Sequence, residues 1–181
     1  MTTGPGLNAT AASLLGFLHD GPQSGWDLVA TAQQVIGNFW SLTPSQVYRE
    51  LSSMAAAGLV AAGESGPRDR RAYELTGAGR EAFREWLDRE PGREQIRYPL
   101  LLVLAFARHL PADRLAEHLA SHRRAHAEKL AGYRARREEA LAAGAAPRDL
   151  VTLDFGIRYE AAVLDWFDHL PPDLGAVPPP G

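Results

Sequence analysis

The sequence predicts a mostly α-helical chain with one small β element, arranged as two parts in series. Three observations carry this. Helical apolar spacing recurs through most of the 181 residues, which are 45% hydrophobic and 23% charged. One turn-rich stretch, Gly63–Arg70, is flanked by short apolar and alternating runs and reads as a hairpin. Pro91-Gly92 interrupts the pattern and marks a boundary.

The elements follow in order. Residues 1–6 read as a short flexible tail. From Leu7 to Asp20, Leu7, Ala11, Leu14, Leu15 and Leu18 share a helical face that stops at Asp20-Gly21-Pro22. Ser24 opens a second helix, with Asp27 as first-turn partner. Its buried side is Trp26 or Leu28, with Val29, Ala32 and Ile36, and Gly37 ends it. The third helix carries both end signals. Thr43 caps it, Pro44 suits the first helical position, and Gln46 stands three residues on to close a capping box. Gly58 supplies the left-handed stop. Val47, Leu51, Met54 and Ala55 form its buried face; Ser45, Gln46, Arg49 and Ser52 form the other.

Short hydroxyls, an amide and an arginine near a helix N-terminus suit phosphates and base edges. Three short-linked helices with this one third make a helix-turn-helix. The hairpin Leu59–Leu75 then takes the place of a wing, its tip holding Arg68, Arg70 and Arg71 against Asp69. With a net charge of −3 over the whole chain, nucleic-acid binding has to rest on such a local patch. Thr76 caps a further helix with Ala82, Phe83, Trp86 and Leu87, expected to pack against the wing.

These residues resemble the PadR family of transcriptional regulators. The likeness runs through Leu14-Leu15-Gly16-Phe17-Leu18, Gly21–Leu28, Val47-Tyr48-Arg49-Glu50-Leu51, Gly58-Leu59-Val60 and Arg70–Gly79, over roughly residues 12 to 90. The resemblance implies a winged helix-turn-helix at 7–90 that binds double-stranded DNA. Thr43, Ser45, Gln46, Tyr48 and Arg49 of the third helix, and Arg68, Arg70 and Arg71 of the wing, are the expected DNA contacts. Tyr48 falls on the family's recognition-helix tyrosine, and Arg70 or Arg71 on the wing arginine. Ser45-Gln46-Val47 departs from the Gly-Ser-Ile or Gly-Thr-Leu often found there, which bears on the operator sequence and not on the fold.

The second part, 97–170, reads as helical. Tyr98–Leu110 is almost wholly apolar and expected to be buried on most sides. A long helix begins at Pro111-Ala112-Asp113 with Leu115, Leu119, His122, His126, Leu130 and Tyr133 at heptad-like steps. A last helix carries Leu150, Leu153, Ile157, Ala161, Leu164, Phe167 and Leu170. Two apolar stripes and one short helix do not close a thick core alone, so burial against a second copy is expected. Leu115, Leu119, His122, His126, Leu130, Leu153, Ile157, Leu164 and Phe167 are the expected dimer residues. The resemblance extends to the helical C-terminal domain of longer PadR members, of the virulence-activator type. It implies a homodimeric repressor on a palindromic operator, released by a small aromatic effector. The alternative is a winged-helix interaction module, or an activator without small-molecule sensing. Residues 171–181, with Pro178-Pro179-Pro180, read as a flexible tail.

Other chemistries find little support. Cysteine is absent, which removes thiol nucleophiles and Cys-ligated zinc. His118, His122 and His126 stand at i, i+4 steps, yet no carboxylate completes a ligand set on that face, so packing or hydrogen bonding is the expected role and no metal or cofactor is assigned. No nucleophile constellation or phosphate-cradling glycine loop points to an enzyme. With no signal peptide and no membrane-length apolar run, a cytoplasmic setting is expected.

Overall fold

In the computed structural model, which describes residues 7–37, 39–65, 71–94, 96–171 and 174, the chain divides into two units, Met1–Arg93 and Glu94–Gly181.

In the first unit, helix α1 (Ala9–Phe17) begins at Asn8, whose side chain accepts the Ala11 N–H at 2.9 Å. A short 3-10 turn, Leu18–Asp20, follows. Helix α2 (Gly25–Val35) starts from a complete capping box between Ser24 and Asp27, and helix α3 (Pro44–Ala56) from one between Thr43 and Gln46. Gly58 adopts φ +72°, and the Leu59 N–H returns to the Met54 carbonyl at 2.9 Å, which closes the α3 end. Leu14, Leu15, Leu18, Leu28, Val47 and Leu51 are the fully buried centre. Trp26 is 59% exposed, so the buried side of α2 is the Leu28 and Ala32 side.

The pattern predicts two strands; the structure has three. A two-residue strand, β1 (Gln23–Ser24), joins β2 (Val60–Ser65) and β3 (Arg71–Leu75) in an antiparallel sheet of order β1-β3-β2. Gln23 pairs with Tyr73 and Ser24 with Ala72, while Val60 pairs with Leu75. A register shift between Ala62 and Ser65 carries β2 beyond its apolar run. The turn with Arg68 and Arg70 lies outside the described residues, as do 1–6, 172–173 and 175–181 of the expected tails.

Helix α4 (Gly77–Leu87) does not lie along the wing as expected. Its body packs on α1, where the Phe83 ring stands 4.9 Å from that of His19. Its start is tied to the residues that lead into β2. The Thr76 hydroxyl lies 2.8 Å from the Gly58 carbonyl and 2.9 Å from the Leu59 carbonyl, and accepts the Gly79 N–H at 3.0 Å. A Cβ on Gly79 would stand 2.1 Å from the Leu59 carbonyl, so this approach requires glycine.

The second unit comprises α5 (Pro99–Ala105), α6 (Ala112–Ala142) and α7 (Val151–Asp168). Helices α6 and α7 pack along each other as a hairpin, with Arg123–Asp168 at 2.7 Å and Arg137–Asp154 at 3.0 Å across it. Leu115, Leu130 and Phe167 are buried, and Leu119, His126, Leu153, Ile157 and Leu164 half-buried; His122 is exposed. The expectation for Tyr98–Leu110 is corrected. Leu100 is buried, but Leu102 is 65% and Phe106 57% exposed, with Leu101 and Val103 exposed as well. An apolar run signals burial without saying against what, and among the described residues of this unit α5 has a packing partner in α6 on one side. Among the described residues no helix is long and apolar enough to cross a membrane.

A buried carboxylate lies inside the hairpin. Glu160 is 3% exposed and bonds His126 Nδ1, whose ring stands 6.1 Å from that of Phe167. Nearby, burial, a hydrogen bond and charge from Tyr98, and the Glu160 charge push the Tyr159 hydroxyl up from 10.0 to about 12. An unfolded tyrosine ionises first, so the stability that a neutral Tyr159 contributes is complete below pH 10.0 and lost as pH rises through about 12. Tyr159→Phe is expected to flatten the alkaline limb of the unfolding curve; an unchanged limb would show that another group controls it.

Candidate nucleic-acid interface

The surface built around α3 is assembled from its inner face outward. Val47, Leu51 and Met54 hold it in the core, which fixes Ser45, Tyr48, Arg49 and Ser52 on the exposed side. Ser52 donates back to the Tyr48 carbonyl at 2.9 Å, so its hydroxyl is occupied within the helix. Gln46 is only half-exposed, and its Oε1 accepts the Thr43 N–H at 2.9 Å. The Thr43 hydroxyl also lies 3.1 Å from it. Cap and amide are therefore one unit, and Gln46 offers outward its amide N–H donors rather than its carbonyl.

Arg49 carries the exposed charge of this face. Its guanidinium rests 3.5 Å from Glu50 Oε1, while Asn8 Nδ2 donates to Glu50 Oε2 at 3.1 Å. The arginine side chain is 71% exposed, so this loose contact orients it at little cost to leave. Sequence reasoning missed Glu50 and Asn8, whose link spans two helices and leaves no local spacing to read.

Tyr48 is 47% exposed, with its ring laid over the start of α2. A Cβ built on Gly25 would stand 2.5 Å from the ring. Gly25→Ala is therefore expected to displace Tyr48 and cost about 1–3 kcal/mol in thermal unfolding; a neutral substitution would show that the ring moves freely. In the sheet, Arg71 is exposed at the start of β3. Ser45, Tyr48 and Arg49 are exposed on the first half of α3, Thr43 and Gln46 form its cap, and Arg71 begins β3 at the tip end of the hairpin. Arg68 and Arg70 belong to the turn outside the described residues. Among the described residues no group of three or more His, Asp or Glu side chains is placed to hold a metal ion.

Two family profiles divide the chain much as its two units do. Residues 14–85 match the transcriptional regulator PadR-like family, and residues 96–173 match the virulence activator alpha C-terminal family. The first unit is a PadR-like transcriptional regulator domain. The chain's PadR-like relatives include the negative transcriptional regulator PadR of Bacillus subtilis, 26% identical over 148 residues that cover 80% of this chain and 81% of that one. The structure of B. subtilis PadR in complex with operator DNA superposes with a TM-score of 0.77 at 22% identity, over 91% of this chain and 96% of that one. The same protein in complex with p-coumaric acid gives 0.69 at 23% identity, over 89% and 95%. At such identities these structures establish the PadR fold.

Proposed function

We propose that this PadR-like regulator is a homodimeric repressor that binds a palindromic operator and is released by a small aromatic effector. The observation that carries the reading is the exposed N-terminal half of a fully capped α3, with Ser45, Tyr48 and Arg49 turned to solvent in a unit whose hairpin strand β3 begins at an exposed Arg71. Residues 7–90 serve as the DNA-binding domain and 97–170 as the dimerisation and effector domain. On this reading Ser45 and Arg49 meet base edges, Gln46 adds its amide N–H groups, and Thr43 and Tyr48 meet phosphates. Arg68, Arg70 and Arg71 follow the backbone or the minor groove beside it. Leu115, Leu119, His126, Leu130, Leu153, Ile157, Leu164 and Phe167 shape the helical seam. His122, exposed on one chain, is free to meet the second copy.

The reading is of a regulator working in the cytoplasm and not of an enzyme. B. subtilis PadR, crystallised with operator DNA and with p-coumaric acid, supports both halves of it. Two copies would place two α3 helices on half-sites about 34–36 Å apart. An effector that favours another separation of those helices would release the DNA.

A gel-shift titration on the DNA upstream of the gene tests this. Arg49→Ala is expected to cost about 1–3 kcal/mol on the operator and to relax its base preference. Arg70→Ala with Arg71→Ala should weaken binding to every sequence and lower the salt slope by about 2 per protomer. No preference for upstream over random DNA would overturn the reading.

A further inference from the structure

Trp26 stands 59% exposed in the first turn of α2. A lone exposed aromatic is ordinary; this one opens a face. Ala30, Gln33 and Gln34 follow it at helical steps, all exposed, and that face carries no charge along its length. Helix α4 shows the usual alternative, exposing Arg80, Glu81, Arg84 and Glu85 to water. The one charged residue of α2, Asp27, is committed to the capping box. Its Oδ2 accepts the Ser24 N–H at 3.3 Å and the Ser24 hydroxyl at 2.6 Å.

This face begins where α2 meets the exposed half of α3. The Tyr48 ring fills the space in front of Gly25, so the turn of α2 that carries Trp26 is also the turn on which Tyr48 rests. In a helix-turn-helix the second helix enters the major groove while the first crosses the DNA backbone. Helices α3 and α2 hold those two places here. A surface that lies on phosphates excludes carboxylates and can use neutral donors in place of cations. An indole N–H is such a donor, carried on a ring large enough to cover a sugar.

We propose that Trp26 is a DNA contact: its indole N–H donates to a phosphodiester oxygen and its ring packs on the adjoining sugar, so that α2 sets how deep α3 enters the groove. The inference rests on the DNA-binding reading above and adds to it a residue and a role. Tyr48 and Trp26 then grip the backbone from two helices whose spacing is fixed by the glycine between them. The contact differs in kind from the wing arginines. An uncharged donor displaces no counterion, so Trp26 adds affinity without adding to the salt dependence. It favours no base, and acts on any duplex that α3 enters.

The test uses the full chain and its Trp26→Phe, Trp26→Tyr and Trp26→Ala variants. Each is titrated by gel shift, over a range of salt, against the duplex upstream of the gene and a random duplex. Trp26→Phe keeps a ring and loses the donor, and is expected to bind both duplexes about fivefold more weakly. Trp26→Tyr restores a donor and should return to within about twofold of the parent, while Trp26→Ala should lose about tenfold or more. All three should keep the parent's salt slope and, residue 26 being exposed, its melting temperature. DNA should also change the tryptophan fluorescence of the parent more than that of Trp26→Phe. If the parent prefers the upstream duplex and all three variants bind as it does, the contact falls and the regulator reading stands. A tyrosine variant as weak as the phenylalanine one, or an altered salt slope, would likewise overturn the contact. Parent-like DNA binding with altered sedimentation would assign this face to a protein partner and overturn it too. If the parent shows no preference but the variants lose binding in the stated order, the operator reading falls and the contact stands. A parent that binds neither duplex ends both.

Discussion

Replacing Leu102 and Phe106 with glutamate is expected to yield a monomer that binds the operator about 100-fold more weakly, or worse. The chain leaves both side chains in water, at 65% and 57% exposure, on and just after an α5 that buries Leu100 and half-buries Leu104. Full burial of one Val, Leu or Phe is worth about 1.5–3 kcal/mol, so Leu101, Leu102 and Val103 on the helix and Phe106 just after it are together a strong drive to associate. Two glutamates replace that drive with like charges facing each other across a two-fold. The loss on DNA is larger than the loss of contact area alone would suggest. Once one half-site is held, the second recognition helix binds at the high local concentration that the dimer imposes, and a monomer forfeits that advantage. Sedimentation and gel-shift titration read the two effects separately. A double variant that stays dimeric would place the seam elsewhere in the second unit.

His126→Ala is expected to destabilise the protein by about 3–5 kcal/mol, and adding Glu160→Gln should recover most of that loss. The asymmetry comes from burial. Glu160 is nearly sealed between α6 and α7, and His126 is its bonded partner. Removing the histidine takes away the bonded partner of a buried carboxyl group, whereas glutamine at 160 keeps a hydrogen-bonding group of the same shape there. Glu160→Gln alone should therefore be the milder change. It should also bring the Tyr133 hydroxyl back toward 10.0, since the Glu160 charge is the second cause, after burial, that holds it up. Urea unfolding of the two single variants and the double variant measures the coupling. A double variant as unstable as His126→Ala would mean that the histidine acts through packing on Phe167 and not through the pair.

Much of the first unit was legible because its signals are local. The capping boxes at Ser24 and Thr43, the glycine stop at Gly58 and the Thr76 cap are all set by side chains within three or four residues of the backbone they satisfy. The features that escaped depend on distance. β1 is two residues long and has no alternation to display; it exists only because β3 is there to pair with it. The clearance that Gly25 gives Tyr48, and the hold of Asn8 and Glu50 on Arg49, join separate helices. Trp26 shows the limit of periodicity, since one turn of an amphipathic helix fits two inward faces and packing decides between them. In the second unit the length and stripe of α6 were readable, while the outer face of α5 was not: hydropathy reports that a side chain shuns water and is silent on which surface covers it.

Ser24 belongs at once to β1, where it pairs with Ala72, and to the first turn of α2, which it caps. That double membership welds the inner strand of the wing to the helix pair, while the tip and the first turn of α3 stay outside the weld. Evolution can therefore lengthen or recharge the tip, or exchange Ser45 and Arg49, without renegotiating the frame. A lineage built on this scaffold can drift from one promoter to another by a few surface substitutions, and Ser24 is where such drift would meet resistance.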